Sequence, residues 1–257
     1  MKKGTLAWPP LLKGTLVRRY KRFMADVRLQ NGHVVTAHCP NSGSMKACSE
    51  PGRPVYLSRH HNNPKRRLKY TWELIEMPTS LVGVNTLVPN RLTKLAAQTG
   101  MIPELAGYDT VRSEVKYGTH SRIDLLLEGG GNRCYVEVKN CTLVSEEMAF
   151  FPDAVTTRGL KHLVELQEQV RRGHRAVMFY LVQRMDARVF KPADHIDPDY
   201  GRELRKAVGN GVEILIYDVM LDLKGIGLHG PLPSLLCLCG NEPTLCFLTG
   251  TRPYRMS

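Results

Sequence analysis

Long apolar segments are absent from this 257-residue sequence. A helix that crosses a membrane needs about 20 consecutive apolar residues, and no stretch of the chain approaches that length. Residues 1–3 include two lysines, as at the start of a secretion signal, but Pro9, Pro10 and Lys13 interrupt the apolar segment that should follow. These features predict a cytoplasmic protein with no membrane partner.

Paired cysteines are also lacking. The seven cysteines are an odd number without a paired framework, so we expect reduced thiols rather than disulfides. Cys39 follows His38, but no second pair with the spacing of a zinc site occurs in this part of the chain. We interpret residues 38–44 as the end of a strand and a tight polar turn, whose backbone N–H groups could meet an anion.

Acidic residues are scarce in the first third of the chain. Residues 1–85 contain 15 lysines and arginines against 4 acidic residues, whereas residues 86–257 contain 21 against 20. Nearly all of the formal net charge of +12 therefore belongs to the first third. Charge segregated in this way indicates an anionic partner, most simply nucleic acid, because a charge that served only solubility would be spread more evenly.

Residues 11–85 have the pattern of a small β-barrel. Five apolar and β-branched stretches alternate with turn formers such as Asn31-Gly32 and Pro51-Gly52. Five short strands of this kind favour the five-stranded oligonucleotide-binding (OB) barrel. Phe23 and Trp72 are expected in the barrel core.

Basic side chains interleaved with rings lie in the first barrel strand, and a second basic cluster precedes Trp72. Cations can neutralise phosphates and rings can stack on bases, so both clusters predict a nucleic-acid surface. The residues predicted to bind nucleic acid are Arg18, Arg19, Tyr20, Lys21, Arg22, Lys65, Arg66 and Arg67.

Residues 111–139 carry the pattern on which the functional prediction depends. An apolar run surrounds Asp124, a glycine-rich turn follows, and a second apolar run carries Glu137. A hairpin would bring Asp124 alongside Glu137, and the alternation of a strand puts Lys139 on the same face as Glu137. Asp124 and Glu137 are thus predicted ligands of Mg²⁺ or Mn²⁺. Glu114, on a preceding strand, is a further candidate catalytic residue.

A strand aspartate followed by Glu-x-Lys on the next strand resembles the restriction-endonuclease-like nucleases. The competing interpretation is an ordinary hairpin with an Asp–Lys pair on its solvated face, because short motifs recur by chance. The apolar neighbours of Asp124 favour the metal site, since a buried carboxylate is costly unless it is paired or bound to a metal. In such a site, Lys139 would act on the attacking water or on the transition state.

The remaining pattern predicts a layered α/β domain with a mixed sheet. Helices are expected over residues 92–98, 156–172 and 198–209, and strands over residues 175–182 and 212–219. The predicted core residues are Val177, Phe179, Leu181, Ile214 and Ile216. Arg158, Lys161 and His162 fall near the start of their predicted helix, where they could approach the metal site. For His162, on the polar face of that helix, a solvated side chain is the favoured interpretation.

Three segments follow from these patterns: an OB-like barrel over residues 1–85, a nuclease-like α/β domain over residues 86–230, and a loosely ordered tail over residues 231–257. The fold class is therefore mixed α+β. The tail contains Cys237, Cys239 and Cys246, which are a weak indication of a metal. A chain that ends near Gly230 is expected to melt at the same temperature as the whole chain.

The sequence resembles the sugar fermentation stimulation protein family from residue 11 to about residue 228. The matching segments are residues 19–27, 38–45, 85–86, 113–118, 121–124, 137–139, 151–156, 158–159 and 161–163. The resemblance implies a bacterial protein with an OB-like barrel, a nuclease-like C-terminal domain, DNA binding and a link to the regulation of sugar use. Residues 232–257 depart from it, because members usually end soon after the strand at residues 212–219.

Two classes of function compete. One is a DNA-binding protein, largely without sequence specificity, that carries a nuclease-like divalent-metal site. The other is an active Mg²⁺-dependent nuclease that hydrolyses phosphodiesters. The presence of Asp124, Glu137 and Lys139 favours the enzyme, whereas the description of the family favours the binding protein. A binder of small anionic metabolites is a third alternative.

Overall fold

A computed structural model describes residues 4–60, 67–117 and 121–236 of the chain. The predictions for Lys65, Arg66 and residues 237–257 lie outside these ranges. The strands within them are β1 (Thr5–Ala7), β2 (Leu11–Tyr20), β3 (Met24–Leu29), β4 (Val34–His38), β5 (Pro54–Arg59), β6 (Tyr70–Glu76), β7 (Leu81–Gly83), β8 (Thr110–Tyr117), β9 (Ser121–Gly129), β10 (Asn132–Cys141), β11 (Leu143–Ser145), β12 (Met148–Phe151), β13 (Arg175–Val182), β14 (Val189–Pro192), β15 (Glu213–Leu221) and β16 (Gly225–Pro231). The α-helices are α1 (Leu87–Gln98), α2 (Thr157–Arg171) and α3 (Pro198–Gly209). Across the described ranges, no helix is long and apolar enough to cross a membrane.

Strands β2 to β6 close into the predicted five-stranded barrel. β3 pairs with β2 and β4, and β5 pairs with β2 and β6. The barrel closes where Ala37 of β4 lies opposite Tyr70 of β6. Leu16, Val27 and Leu57 fill the interior, because alternate residues of each strand face inward.

Trp72 is fully buried in the barrel, as predicted, but the prediction for Phe23 was wrong. Phe23 lies in the turn between β2 and β3, beyond the last paired residues Tyr20 and Met24, and is 51% exposed. The pairing of β2 with β3 ends at Tyr20, so residue 23 lies outside the strands whose side chains fill the barrel.

The C-terminal part forms a mixed seven-stranded sheet in the order β1-β16-β15-β13-β10-β9-β8. β10, β13 and β15 are parallel, and the helices α2 and α3 lie in the crossovers between them. α3 and β13 have the predicted bounds, whereas α1 begins at Leu87 rather than at residue 92. A second sheet of β11, β12 and β14 was not predicted.

The seven-stranded sheet is buried on both faces. Ile214 and Ile216 pack in the core that includes residues of α2 and α3, whereas Val177, Phe179 and Leu181 pack in the core that includes residues of α1 and of the barrel. All five side chains are buried, as predicted, although the two groups lie on opposite faces of the seven-stranded sheet. Because the second core includes barrel residues, apolar packing fixes the barrel against the sheet.

Both ends of the described chain join the C-terminal sheet. β1 pairs with β16, with Thr5 opposite Gly227, so the barrel begins only after β1. Beyond β16, Leu232 and Leu236 are buried in the core beside α2 and α3. These contacts argue against the expectation that the chain after Gly230 is dispensable, because Leu232 and Leu236 lie in the folded core.

Candidate metal centre and nucleic-acid interface

The predicted hairpin forms and brings Asp124 next to Glu137. β9 and β10 pair in a register that places Leu125 opposite Val136, so the two carboxylates follow on adjacent strands. The backbone N–H of Val138 donates a hydrogen bond to Oδ2 of Asp124 over 2.8 Å. The side chain of Asn90, on α1, donates to Oδ1 over 2.7 Å. Asp124 is therefore held in place from both the sheet and the helix.

Glu137 is buried, with only 2% of its surface exposed. Its Oε1 accepts a hydrogen bond from Nζ of Lys139 over 2.7 Å and also contacts Nδ1 of His162. Its Oε2 is buried and has no hydrogen-bond partner among the described residues. A buried carboxylate oxygen without a partner is unfavourable, so this atom is a candidate ligand for a cation.

His162 is a site residue for which the sequence analysis favoured a solvated side chain over a place at the metal site. It was expected in solvent, but it is buried and contacts both Glu137 and Lys139. Nε of Arg158 donates a hydrogen bond to its Nε2 over 3.3 Å, so both ring nitrogens are engaged by neighbouring side chains. Its spacing from Gly159, three residues before, and Leu166, four residues after, was the available signal, because all three lie on the buried face of α2.

The pKa values of the two carboxyl groups move in opposite directions. Burial, together with the charge of Glu137, raises the pKa of Asp124 to about 6. Burial would also raise the pKa of Glu137, but the hydrogen bonds and charges of His162 and Lys139 outweigh it and hold this pKa below its ordinary value. A divalent cation would favour the ionised form of both groups.

The site offers two carboxylates rather than three. Among the described residues, no group of three or more His, Cys, Asp or Glu side chains is arranged to ligate one ion. Glu114 is exposed on β8 and lines the same cleft as Asp124, a space of about 390 Å³ that Arg122, Arg158 and Lys161 also border. This cleft therefore combines the half-buried carboxylate of Asp124 with a rim that carries positive charge.

The basic residues predicted to bind nucleic acid take different positions. Lys21, Arg22 and Arg67 are exposed. Arg18 is exposed but donates to Asp26 over 2.8 Å and lies over the ring of Tyr20, whose hydroxyl also donates to Asp26. Compared with Arg18, the side chains of Lys21, Arg22 and Arg67 are therefore the more available to an anionic partner.

Arg19 has a structural role within the barrel. Its guanidinium donates to the carbonyl oxygens of Arg22, Asn41, Gly43 and Ser44 over 2.8–3.1 Å. These bonds tie the turn after β2 to the polar turn at residues 41–45. Because its two terminal nitrogens donate to the protein and its Nε is buried, Arg19 is less available to phosphate than Arg22.

The polar turn at residues 41–45 meets a carboxylate of the protein itself. The N–H of Met45 and the hydroxyl of Ser44 donate to Oδ2 of Asp153, in the C-terminal domain. A Cβ atom at Gly43 would lie 2.6 Å from the Asp153 carboxylate oxygens, so only glycine permits this approach. The anion that the sequence suggested for this turn is thus Asp153, and the contact joins the barrel to the sheet.

Comparisons with known proteins match both parts of the chain. Residues 17–84 match the SfsA N-terminal OB domain, and residues 87–225 match the Sugar fermentation stimulation protein RE domain. The Sugar fermentation stimulation protein homolog of Geotalea uraniireducens is 56% identical over 223 residues, which are 87% of this chain and 96% of that protein. The homolog of Pelobacter propionicus is 58% identical over 228 residues, 89% of this chain and 99% of that protein.

Among solved structures, the chain is similar to that of Pyrococcus furiosus SfsA in complex with Ca²⁺. The two sequences are 27% identical, and the structures superimpose with a TM-score of 0.83 over 91% of this chain and 99% of the other. The likeness therefore includes the barrel and the mixed sheet together.

Proposed function

This chain belongs to the sugar fermentation stimulation protein family, and from that premise we propose that it binds DNA through its basic barrel and holds a divalent cation between Asp124 and Glu137. The unpartnered, buried Oε2 of Glu137 carries the metal half of the proposal. The concentration of positive charge in residues 1–85 carries the DNA half.

The donor set fits a hard cation such as Mg²⁺ or Mn²⁺. Mg²⁺ in proteins is commonly held by one or two carboxylates and several waters, which is what Asp124 and Glu137 provide. The ion would lower the pKa of a bound water and neutralise negative charge on a phosphate. The Pyrococcus furiosus relative was solved with Ca²⁺, another cation that prefers oxygen ligands, and this supports a divalent ion here.

DNA binding by the barrel would depend mainly on phosphates. Lys21, Arg22 and Arg67 are exposed and can contact the backbone of any sequence. Contacts of this kind fix position and affinity but do not distinguish bases, so we expect little sequence specificity. The match of the C-terminal part to a domain named RE, with its Asp124 and Glu137 hairpin, supports nucleic acid as the partner.

Phosphodiester hydrolysis is the second candidate, and Lys139 favours it. Its ammonium group is mostly buried and contacts Glu137 and His162, beside the cleft that Asp124 lines. A cation fixed there can orient water or stabilise charge that develops on a phosphate in the transition state. A site that served only to strengthen the fold would not need this group next to the cleft.

The metal half is tested on the full-length protein by isothermal titration with Mg²⁺ and Mn²⁺. Asp124→Asn and Glu137→Gln should lose the heat of binding, whereas Glu128→Gln, a matched carboxylate on β9 that pairs with arginines outside the site, should keep it. Lys139→Ala should bind Mn²⁺ but lose any cleavage of labelled DNA. If Asp124→Asn bound Mn²⁺ as well as the wild type, the proposed metal site would be contradicted, and the hairpin would be an ordinary one with an ion pair.

The DNA half is tested by fluorescence anisotropy at several salt concentrations. Lys21→Ala combined with Arg22→Ala should weaken binding to every sequence and flatten the log–log salt slope by about 0.7–0.9 for each phosphate that is no longer neutralised. Arg171→Ala combined with Arg172→Ala removes the same charge from the far end of α2 and should have little effect. Equal weakening by both pairs would mean that net charge, rather than the barrel, determines binding.

A further inference from the structure

The turn between β2 and β3 presents two cations and an aromatic ring to solvent. We call residues 21–23 the barrel tip. Lys21, Arg22 and Phe23 are all exposed, and Phe23 is among the most exposed large apolar side chains described. Phe23 thus contributes little to the barrel core, and its position calls for a different explanation.

The barrel tip is rigid rather than loose. Lys21 and Arg22 both have positive φ angles, of 49° and 60°, as in the tight hairpin turns that match the twist of paired strands. Residues other than glycine, asparagine and aspartate rarely adopt this conformation, so the surroundings must hold it. Arg19 supplies one constraint through its bond to the Arg22 carbonyl, and the N–H of Cys39 supplies another by donating to the Phe23 carbonyl over 2.8 Å.

The tip adjoins a cleft whose other side is formed by the end of β10 and the start of α2. Arg22 lines a space of about 440 Å³ between the barrel and the C-terminal sheet, and Asn140 and Thr156 line its other side. Asn140 directly follows Lys139 on β10, and Thr156 is the N-cap of α2, which carries Arg158 and His162. The cleft is therefore bordered by β10 and α2, the two elements that also carry Lys139, Arg158 and His162 of the candidate metal centre.

We propose that Phe23 stacks on an unpaired base of single-stranded DNA, while Lys21 and Arg22 contact the flanking phosphates. This inference rests on the proposed DNA binding and adds the form of DNA that the barrel prefers. An exposed ring on a rigid turn loses little conformational freedom when a base stacks on it. The faces of bases in a duplex are already covered by their neighbours, so only an unpaired base offers a face to Phe23.

The test compares Phe23→Ala and Phe23→Trp in the full-length protein, with Val34→Ala as control. Val34 is also 51% exposed and belongs to β4 of the same barrel. Phe23→Ala should weaken binding of single-stranded oligonucleotides about 5- to 150-fold, the range measured for loss of one stacked base. Phe23→Trp should keep wild-type affinity, and Val34→Ala should match the wild type.

Two further readouts separate stacking from loss of charge or loss of fold. The salt slope should be the same for Phe23→Ala as for the wild type, because every cation that neutralises a phosphate is still present. Quenching of 2-aminopurine in the oligonucleotide should occur with the wild type and with Phe23→Trp but not with Phe23→Ala. Equal loss of affinity for duplex and single-stranded DNA would overturn stacking on an unpaired base.

The outcome also distinguishes this inference from the proposed function. If the wild type binds no DNA of either form, the proposed function fails and stacking fails with it. If the wild type binds DNA and Phe23→Ala binds single strands equally well, DNA binding stands and the role of Phe23 is overturned.

Discussion

Glu137 is a buried carboxylate whose two oxygens have different surroundings. Oε1 is satisfied by Lys139 and His162, whereas Oε2 is not satisfied by any described residue. Leaving a buried acceptor unpaired costs roughly 1–3 kcal/mol. The chain therefore tolerates a local loss of stability at the atom where a cation would bind, which is common at functional sites.

His162→Ala is expected to lower the free energy of unfolding by about 1–3 kcal/mol, because it removes a partner of the buried Glu137 carboxylate. Added Mg²⁺ should restore part of this loss, since a cation at Glu137 replaces the missing partner. Thermal unfolding with Mg²⁺ and with chelator measures both effects.

The control for His162 is Val164→Ala, an exposed position on the same helix, which should change stability little in either buffer. If Mg²⁺ raised the melting temperature of the wild type and of His162→Ala by the same amount, the imidazole would have no influence on the ion.

Local sequence patterns predicted part of the site. The proximity of Asp124, Glu137 and Lys139 could be predicted from the sequence, because strand alternation and one tight turn determine their positions. Asn90 could not, since it reaches Asp124 from a helix 34 residues earlier in the chain, and no local pattern encodes that contact. A solvated His162 was favoured over a site residue because its polar character was given more weight than its spacing along the helix.

At the scale of elements, one strand and its turn contain cations with different roles. The sequence of β2 and its turn suggests equivalent phosphate contacts for Arg18, Arg19 and Arg22. In the structure, Arg19 binds backbone carbonyls, Arg18 pairs with Asp26, and Arg22 borders the cleft. Composition predicted the total charge of β2 and its turn. Which of these cations is available to a phosphate depends on the contact between this turn and the polar turn at residues 41–45, which composition does not encode.

Arg184 and Asp186 form a buried pair beside the junction of barrel and sheet. Two hydrogen bonds of 2.8 and 2.6 Å join them, and Arg184 also donates to the carbonyl oxygens of Thr142 and Ala47. Burial would raise the pKa of Asp186, but its bonds with Arg184 outweigh burial and hold this pKa below its ordinary value. A lowered folded-state pKa stabilises the protein above the unfolded value and ceases to do so as pH falls through the folded value.

Asp186→Asn should therefore destabilise the protein by about 2–3 kcal/mol at neutral pH, because it leaves Arg184 buried without its partner. The difference from wild type should persist down to about pH 4 and shrink below it, as Asp186 of the wild type becomes protonated. Urea unfolding across this pH range provides the measurement.

Asp199→Asn is the matched control for Asp186, because Asp199 pairs with Arg202 on the exposed surface of α3. It should change stability by less than about 1 kcal/mol at any pH. A pH-independent deficit in Asp186→Asn would show that lost packing, rather than the ion pair, is responsible.

At the scale of the whole molecule, the end of the described chain contributes to stability. Leu232 and Leu236 are buried, and the N–H of Leu235 donates to the carbonyl of Phe190 over 2.9 Å. A chain that ends at Gly230 should melt on the order of 10 °C below one that ends at Leu236, because burial of two leucines is lost. Calorimetry of the two truncated chains measures this difference, and equal melting temperatures would mean that the segment contributes nothing.

The two-part architecture was predictable because its signals are local. Turn formers spaced between β-branched stretches predicted the barrel, and buried runs separated by helical periodicity predicted the mixed sheet. The pairing of β1 with β16 was not predictable, because three residues near the start of the chain carry too little pattern to identify a partner more than two hundred residues away.

The pairing of β1 with β16 also sets an order for folding during synthesis. All five strands of the barrel have left the ribosome long before residue 225, where β16 begins. At roughly 5–20 residues per second, β1 waits on the order of ten seconds or more for the strand that it pairs with. The barrel can thus close while β1 is still unpaired, and β16, the last strand within the described residues, completes the sheet when it pairs with β1.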